Sequence, residues 1–91
     1  MARDVEFSEL AVAGVRRLYS EDWRRTSLMQ SIGWALKTDP TKNARPCLQI
    51  ESGDFLLRGF YAGFEVRVLF EMGDIIMVWS VTRTADTLLT K

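Results

Sequence analysis

The chain contains no histidine and a single cysteine, Cys47. Each absence removes a chemistry. Without a second cysteine there is no internal disulfide, and without histidine there is no zinc site built on nitrogen and sulfur donors. Serine–histidine and cysteine–histidine nucleophilic catalysis are excluded for the same reason. A charge excess of one sign is missing too: 12 Lys+Arg balance 12 Asp+Glu, so no global field gathers polyanions or acidic lipid. Long apolar runs are absent. The longest, Ile75-Ile76-Met77-Val78-Trp79, falls far short of the roughly 18 residues a membrane helix needs. The opening residues Met1-Ala2-Arg3-Asp4-Val5-Glu6 carry acids where a secretory leader needs a basic end and an apolar stretch. These observations predict a cytoplasmic protein with no membrane partner.

The chain is nevertheless rich enough to fold. At 91 residues and 47% hydrophobic it suits one domain spanning 1–91 with a small core. A charged fraction of 26% fits neither a disordered chain nor a membrane span. No repeat or low-complexity segment divides it.

Residues 7–37 read with helical period and 47–82 with strand period. Ser8 followed by Glu9 is a helix start, with Phe7 placed to staple onto Val12. Ala11, Val15 and Leu18 fall on one face of the helix that follows. Ser20-Glu21-Asp22 marks a second start, Leu28, Ile32, Ala35 and Leu36 form its apolar stripe, and Thr38-Asp39-Pro40 stops it. Thr41 to Pro46 reads as a basic loop. Strands are expected over Cys47–Glu51, Phe55–Tyr61 (interrupted by a bulge at Gly59), Phe64–Glu71 and Ile75–Thr82, with turns at Ser52-Gly53-Asp54, Ala62-Gly63 and Met72-Gly73-Asp74. In the third of these, Phe64, Val66, Val68 and Phe70 share one face, and Glu65, Arg67, Leu69 and Glu71 the other. Helices first and a hairpin-linked sheet afterwards predict an α+β fold, with an N-terminal antiparallel helical hairpin covering one sheet face.

Three stretches carry a resemblance: Leu36-Lys37-Thr38-Asp39-Pro40-Thr41, Phe64 through Glu71, and Val78-Trp79-Ser80-Val81-Thr82-Arg83. In order and spacing they resemble the "L-x-x-D-P-T" step, the "YRVxYE" strand and the last strand of the RelE/ParE superfamily, the toxins of bacterial toxin–antitoxin pairs. The resemblance implies a curved, mostly antiparallel β-sheet under the helical hairpin, and a cognate antitoxin protein as partner. It implies one of two actions: ribosome-dependent mRNA cleavage of RelE type, or ParE-like inhibition of DNA gyrase without catalysis. A small interaction module of the same fold with no toxic action is the third alternative.

For cleavage, the resemblance assigns Arg67 and Arg83 to holding the scissile phosphate, in a metal-independent attack by the 2′-hydroxyl that needs no cofactor. A fixed guanidinium suits the dianionic phosphorane of that reaction. Arg58 matches loosely, since Phe60 stands where a second basic residue is wanted. Lys42 and Arg45 are candidates for contact with RNA backbone or antitoxin. The plainer readings stand beside these: a cross-strand ion pair of Arg67 with Glu65 or Glu71, and solvated charges at Arg83, Lys42 and Arg45. Trp23, Trp34 and Trp79 are expected in the core or at an antitoxin interface rather than as base-stacking platforms. Cys47 reads as a small buried hydrophobe.

The chain departs from the nuclease pattern in having no tyrosine among residues 84–91, which leaves Tyr61, Glu65 or Glu71 to exchange protons. Charge is also uneven. Residues 1–46 hold eight basic and six acidic side chains, whereas 47–91 hold four and six. Any RNA bound by the second half is held by placed arginines, or by help from the ribosome, and not by bulk attraction.

Overall fold

The computed structural model describes residues 3–47 and 54–83. The elements run β1 (Val5–Phe7), α1 (Glu9–Leu18), α2 (Asp22–Thr38), β2 (Ala44–Pro46), β3 (Phe55–Tyr61), β4 (Glu65–Met72) and β5 (Ile76–Arg83). The strands form one five-stranded sheet in the order β1-β5-β4-β3-β2. β1 runs parallel to β5 and the other pairs are antiparallel. The architecture is α+β, as the patterning predicts.

α1 begins as its sequence demands. Ser8 Oγ accepts the Ala11 amide at 3.1 Å, Glu9 lies in the first turn, and Arg16 and Arg17 lie in the last, so both ends of the dipole are matched. Its Ala11, Gly14 and Val15 are buried. Gly14 is where α1 lies closest to β5: a Cβ there would land on the Val81 carbonyl oxygen.

α2 starts at Ser20-Glu21-Asp22 as expected, but without the capping side chain expected of Ser20. Ser20 is not its cap. Glu21 occupies that position without a side-chain bond to the helix, and Ser20 Oγ instead donates to Glu21 Oε1 at 3.4 Å. The corner is held by Arg25, whose Nε donates to the Tyr19 carbonyl at 2.7 Å and whose Nη1 meets Asp22 Oδ1 at 3.1 Å. The helix ends before Pro40, with the Asp39 amide closing onto Ala35 O at 2.9 Å.

Two short strands lie where the patterning shows none. β1 pairs with Ile76–Val78, so Phe7 is a strand residue rather than a helix staple; three residues are too few to show alternation. β2 falls inside the expected basic loop, pairing Ala44–Pro46 with Leu56–Arg58. The strand expected over Cys47–Glu51 lies outside the described residues beyond Cys47. Cys47 itself is 7% exposed and donates its amide to Phe55 O at 3.0 Å.

β3 has its expected bounds, and β4 and β5 begin one residue later than expected. The bulge anticipated at Gly59 is absent, since Gly59 pairs in register with Arg67. The ladder slips instead at Leu69/Phe70, where Trp79 is the extra residue on β5. Gly63, at φ +82°, turns the chain between β3 and β4 in the left-handed region that glycine tolerates.

Val66, Val68 and Phe70 of β4 and Ile76, Val78 and Val81 of β5 are buried against Ala11 and Val15 of α1 and Leu28, Ile32 and Leu36 of α2. Each of these side chains other than Ala11 contributes about 1.5–3 kcal/mol relative to exposure. The tryptophans stay out of this core. Trp23 is 67% and Trp34 72% exposed, because helical geometry places both opposite the stripe that faces the sheet. Among the described residues, no helix is long and apolar enough to cross a membrane.

Candidate functional site

Pairing register decides which arginines share a face, since directly opposed residues of a ladder project to the same side. Val66, Val68 and Phe70 face the helices. Their partners Phe60, Arg58 and Leu56 on β3, and Arg83, Val81 and Val78 on β5, face the helices with them. Glu65, Arg67, Leu69 and Glu71 therefore form the outer face, together with Tyr61, Gly59, Leu57 and Phe55 of β3. Arg45 on β2 sits opposite Leu57 and joins this outer set.

The proposed arginines divide accordingly. Arg58 turns inward: its Nη1 donates to the Asp39 carbonyl at 2.7 Å, capping the C-terminal end of α2, and its guanidinium lies 4.9 Å from the Phe60 ring centre. Arg83 also lies on the helix side, 4.6 Å from the Phe64 ring centre, and Phe64 packs on Tyr19 at 5.7 Å. The structure does not bring Arg67 and Arg83 together. It brings Arg67 to the same face as Arg45, two strand spacings or about 10 Å apart across the sheet and two residues or about 7 Å along it, and both line one depression.

Gly59 lies across from Arg67 on β3. An added Cβ would meet nothing within 4 Å there, so the strand presents bare backbone opposite Arg67 and the Leu57 side chain opposite Arg45. The result is a shallow depression of about 250 Å³ lined by Asn43, Arg45, Leu57, Gly59, Glu65 and Arg67, with Arg58 contributing to its wall. Asn43 precedes β2 in the left-handed region, φ 58°, a conformation asparagine tolerates better than most residues. Lys42, on the turn before it, is exposed and lines none of this depression.

The expected cross-strand ion pair of Arg67 does not form. Among the described residues, the ion pairs are Arg24–Glu21 at 3.6 Å and Arg25–Asp22 at 3.1 Å, both on α2 and its cap. Glu71 accepts the Trp79 indole N–H at 3.0 Å instead. Arg67 and Arg45 thus present guanidinium donors with no hydrogen-bond or ion-pair partner among the described residues. Beside them stands a carboxylate, Glu65; directly opposite it on β3 the phenol of Tyr61, 80% exposed, lies at the rim, lining the neighbouring depression with Tyr19 and Trp23. A paired guanidinium set next to a proton acceptor and a phenolic donor suits an oxyanion such as a phosphodiester.

A chain of the crystal structure of the toxin–antitoxin complex RelBE2 from Mycobacterium tuberculosis superposes with a TM-score of 0.67 at 17% identity, over 91% of this chain and 99% of that one. The fold is RelE-like. No family model and no curated protein sequence matches the chain. At this identity the likeness is one of architecture, reached through the helical hairpin and the sheet. The roles of individual residues rest on the geometry above. Asn43 was not legible as a site residue from sequence, and Gly59 read more readily as a bulge than as a phosphate cradle, because the place of both depends on which strands pair and in what register.

Proposed function

We propose that this chain is the toxin of a toxin–antitoxin pair, and that its outer sheet face binds and cleaves RNA. The RelE-like fold supports the toxin role. The RNA reading rests on one observation: register puts Arg67 and Arg45 on the same open face, without partners among the described residues, around the bare backbone of Gly59. A phosphodiester seated over Gly59 would take bidentate hydrogen bonds from Arg67 and a second set from Arg45. In this reading Glu65 accepts the proton of the 2′-hydroxyl as its oxygen attacks the adjacent phosphorus. The bond to the 5′-oxygen breaks, Tyr61 donates a proton to that leaving oxygen, and a 2′,3′-cyclic phosphate and a 5′-hydroxyl result. Neither arginine exchanges a proton; their part is to hold charge. The balanced net charge leaves the ribosome, or another scaffold, to present the message. A cognate antitoxin covering this face is the corresponding inhibitor.

The test is expression of the chain alone in a bacterial host. Growth arrest is expected, relieved by Arg67→Ala, with new 5′ ends on cellular messages by primer extension. Unimpaired growth at verified soluble expression removes the toxin reading. Arrest with intact messages and broken DNA removes the RNA reading and supports inhibition of gyrase.

A further inference from the structure

The solvent-facing pole of α2 is unlike that of an ordinary surface helix. From Thr26 to Leu36 it carries no charged residue. Opposite the buried Leu28, Ile32 and Leu36 lie Trp23, Ser27, Gln30 and Trp34, all exposed. Charge depletion between large aromatics marks the centre of a protein interface, not a solvated face. The spacing of these four residues, four then three then four, reads the same in both directions. An isologous two-fold contact requires that self-complementarity.

We propose that α2 is the contact face of a homodimer, packed antiparallel against α2 of a second copy about a two-fold axis between Leu28 and Met29. Trp23 of one copy then meets Trp34 of the other at both ends. Ser27 faces Gln30 across the axis, and these short or flexible side chains let the helices approach. The flanking charges agree with this arrangement. Asp22, with a side chain 93% exposed, and Lys37, exposed near the far end of the helix, project to the same flank. An antiparallel partner brings each within about 3 Å of the other along the helix axis. Arg24 projects to the opposite flank and stacks on its own Trp23 at 5.1 Å, so no like charges are opposed. The four tryptophans of such a pair would remove on the order of 600 Å² from water. With the serines, glutamines and flanks added, the total passes the roughly 1,000 Å² a specific interface needs. Arg45, Gly59 and Arg67 stay open in such a dimer, while Trp23 and Ser27 share a depression with Tyr61, so the contact borders the proposed RNA site on that side.

Sedimentation equilibrium of the purified chain, from micromolar to submillimolar concentration, tests this directly. Twice the 10.4 kDa chain mass is expected. Trp34→Asp should weaken association by roughly thirtyfold or more, as loss of a buried aromatic anchor does, with unchanged thermal unfolding of the monomer. Ser27→Cys should cross-link to itself on mild oxidation, while Arg16→Cys on α1 should not. A chain that stays monomeric throughout overturns the proposal, including one whose tryptophans become protected only when a different protein is added. A dimer that survives Trp34→Asp and leaves Ser27→Cys uncrosslinked also overturns it, by placing the contact elsewhere.

Discussion

Arg58 and Arg67 lie one residue apart in cross-strand register yet on opposite faces of the sheet, so their substitution should separate stability from activity. Arg58→Ala removes the bond to the Asp39 carbonyl at the end of α2 and the contact with Phe60. A hydrogen bond to a charged group is worth about 1.5–3 kcal/mol and a cation–π contact about 0.5–1. Both lie at a partly exposed site, and the Lys42 amide also donates to the same carbonyl at 3.3 Å, so the carbonyl is not orphaned. A net loss near 1.5 kcal/mol follows, which lowers Tm by roughly 6–12 °C for a domain of this size. Arg67→Ala removes no hydrogen bond or ion pair among the described residues, so it should move Tm by no more than about 3 °C. The assays are calorimetric unfolding of both variants and growth of cells expressing each. Arg58→Ala should be less stable but still arrest growth below its melting range; Arg67→Ala should be stable and harmless. The reverse pattern, Arg58→Ala unshifted in Tm but inactive, would refute the division of faces.

Three further outcomes follow from packing and site geometry. Gly14→Ala gains about 1 kcal/mol in helix propensity but sets a methyl on the Val81 carbonyl; the backbone shift it forces costs about 1–3 kcal/mol, so a lowered Tm is expected and a raised one contradicts the close approach. Ser8→Ala removes the cap on Ala11 and the hydroxyl bond to the Trp79 carbonyl at 2.9 Å, for a loss of about 1–2 kcal/mol readable by urea denaturation. Glu65→Gln should slow RNA cleavage by about 10²–10⁴-fold while leaving RNA binding intact, measured as single-turnover rate against filter-bound RNA; equal rates would dismiss Glu65 as the base.

Much of this fold could be read before it was seen, for reasons tied to particular residues. Ser8, Pro40 and the alternation through Val66, Val68 and Phe70 are local signals, and each marks an element that formed where expected. What escaped depends on distant partners. Val5-Glu6-Phe7 is a strand only because Ile76–Val78 offers it a ladder, and Ala44-Arg45-Pro46 only because Leu56–Arg58 does. The candidate site divided along the same line. Arg67 could be placed on the polar face from its own strand alone. The inward turn of Arg58 and the pairing of Arg45 with the outer set needed the register between strands. Trp23 and Trp34 lie outside the core because their helical phase puts them opposite it, which leaves the interface half of their reading standing.

The parallel pairing of β1 with β5 joins residues near the two ends of the described chain, and α1 rests on that same last strand. Synthesis at about 5–20 residues per second separates the appearance of Phe7 from that of its ladder partner Val78 by roughly 4–14 s. During that interval Ala11 and Val15 have no sheet to cover, and the edge of β4 that β5 will occupy is unpaired. Long-range closure of this kind slows folding. The outer face therefore acquires its shape late, when β5 enters between β1 and β4 and completes the sheet on which Arg67 is held.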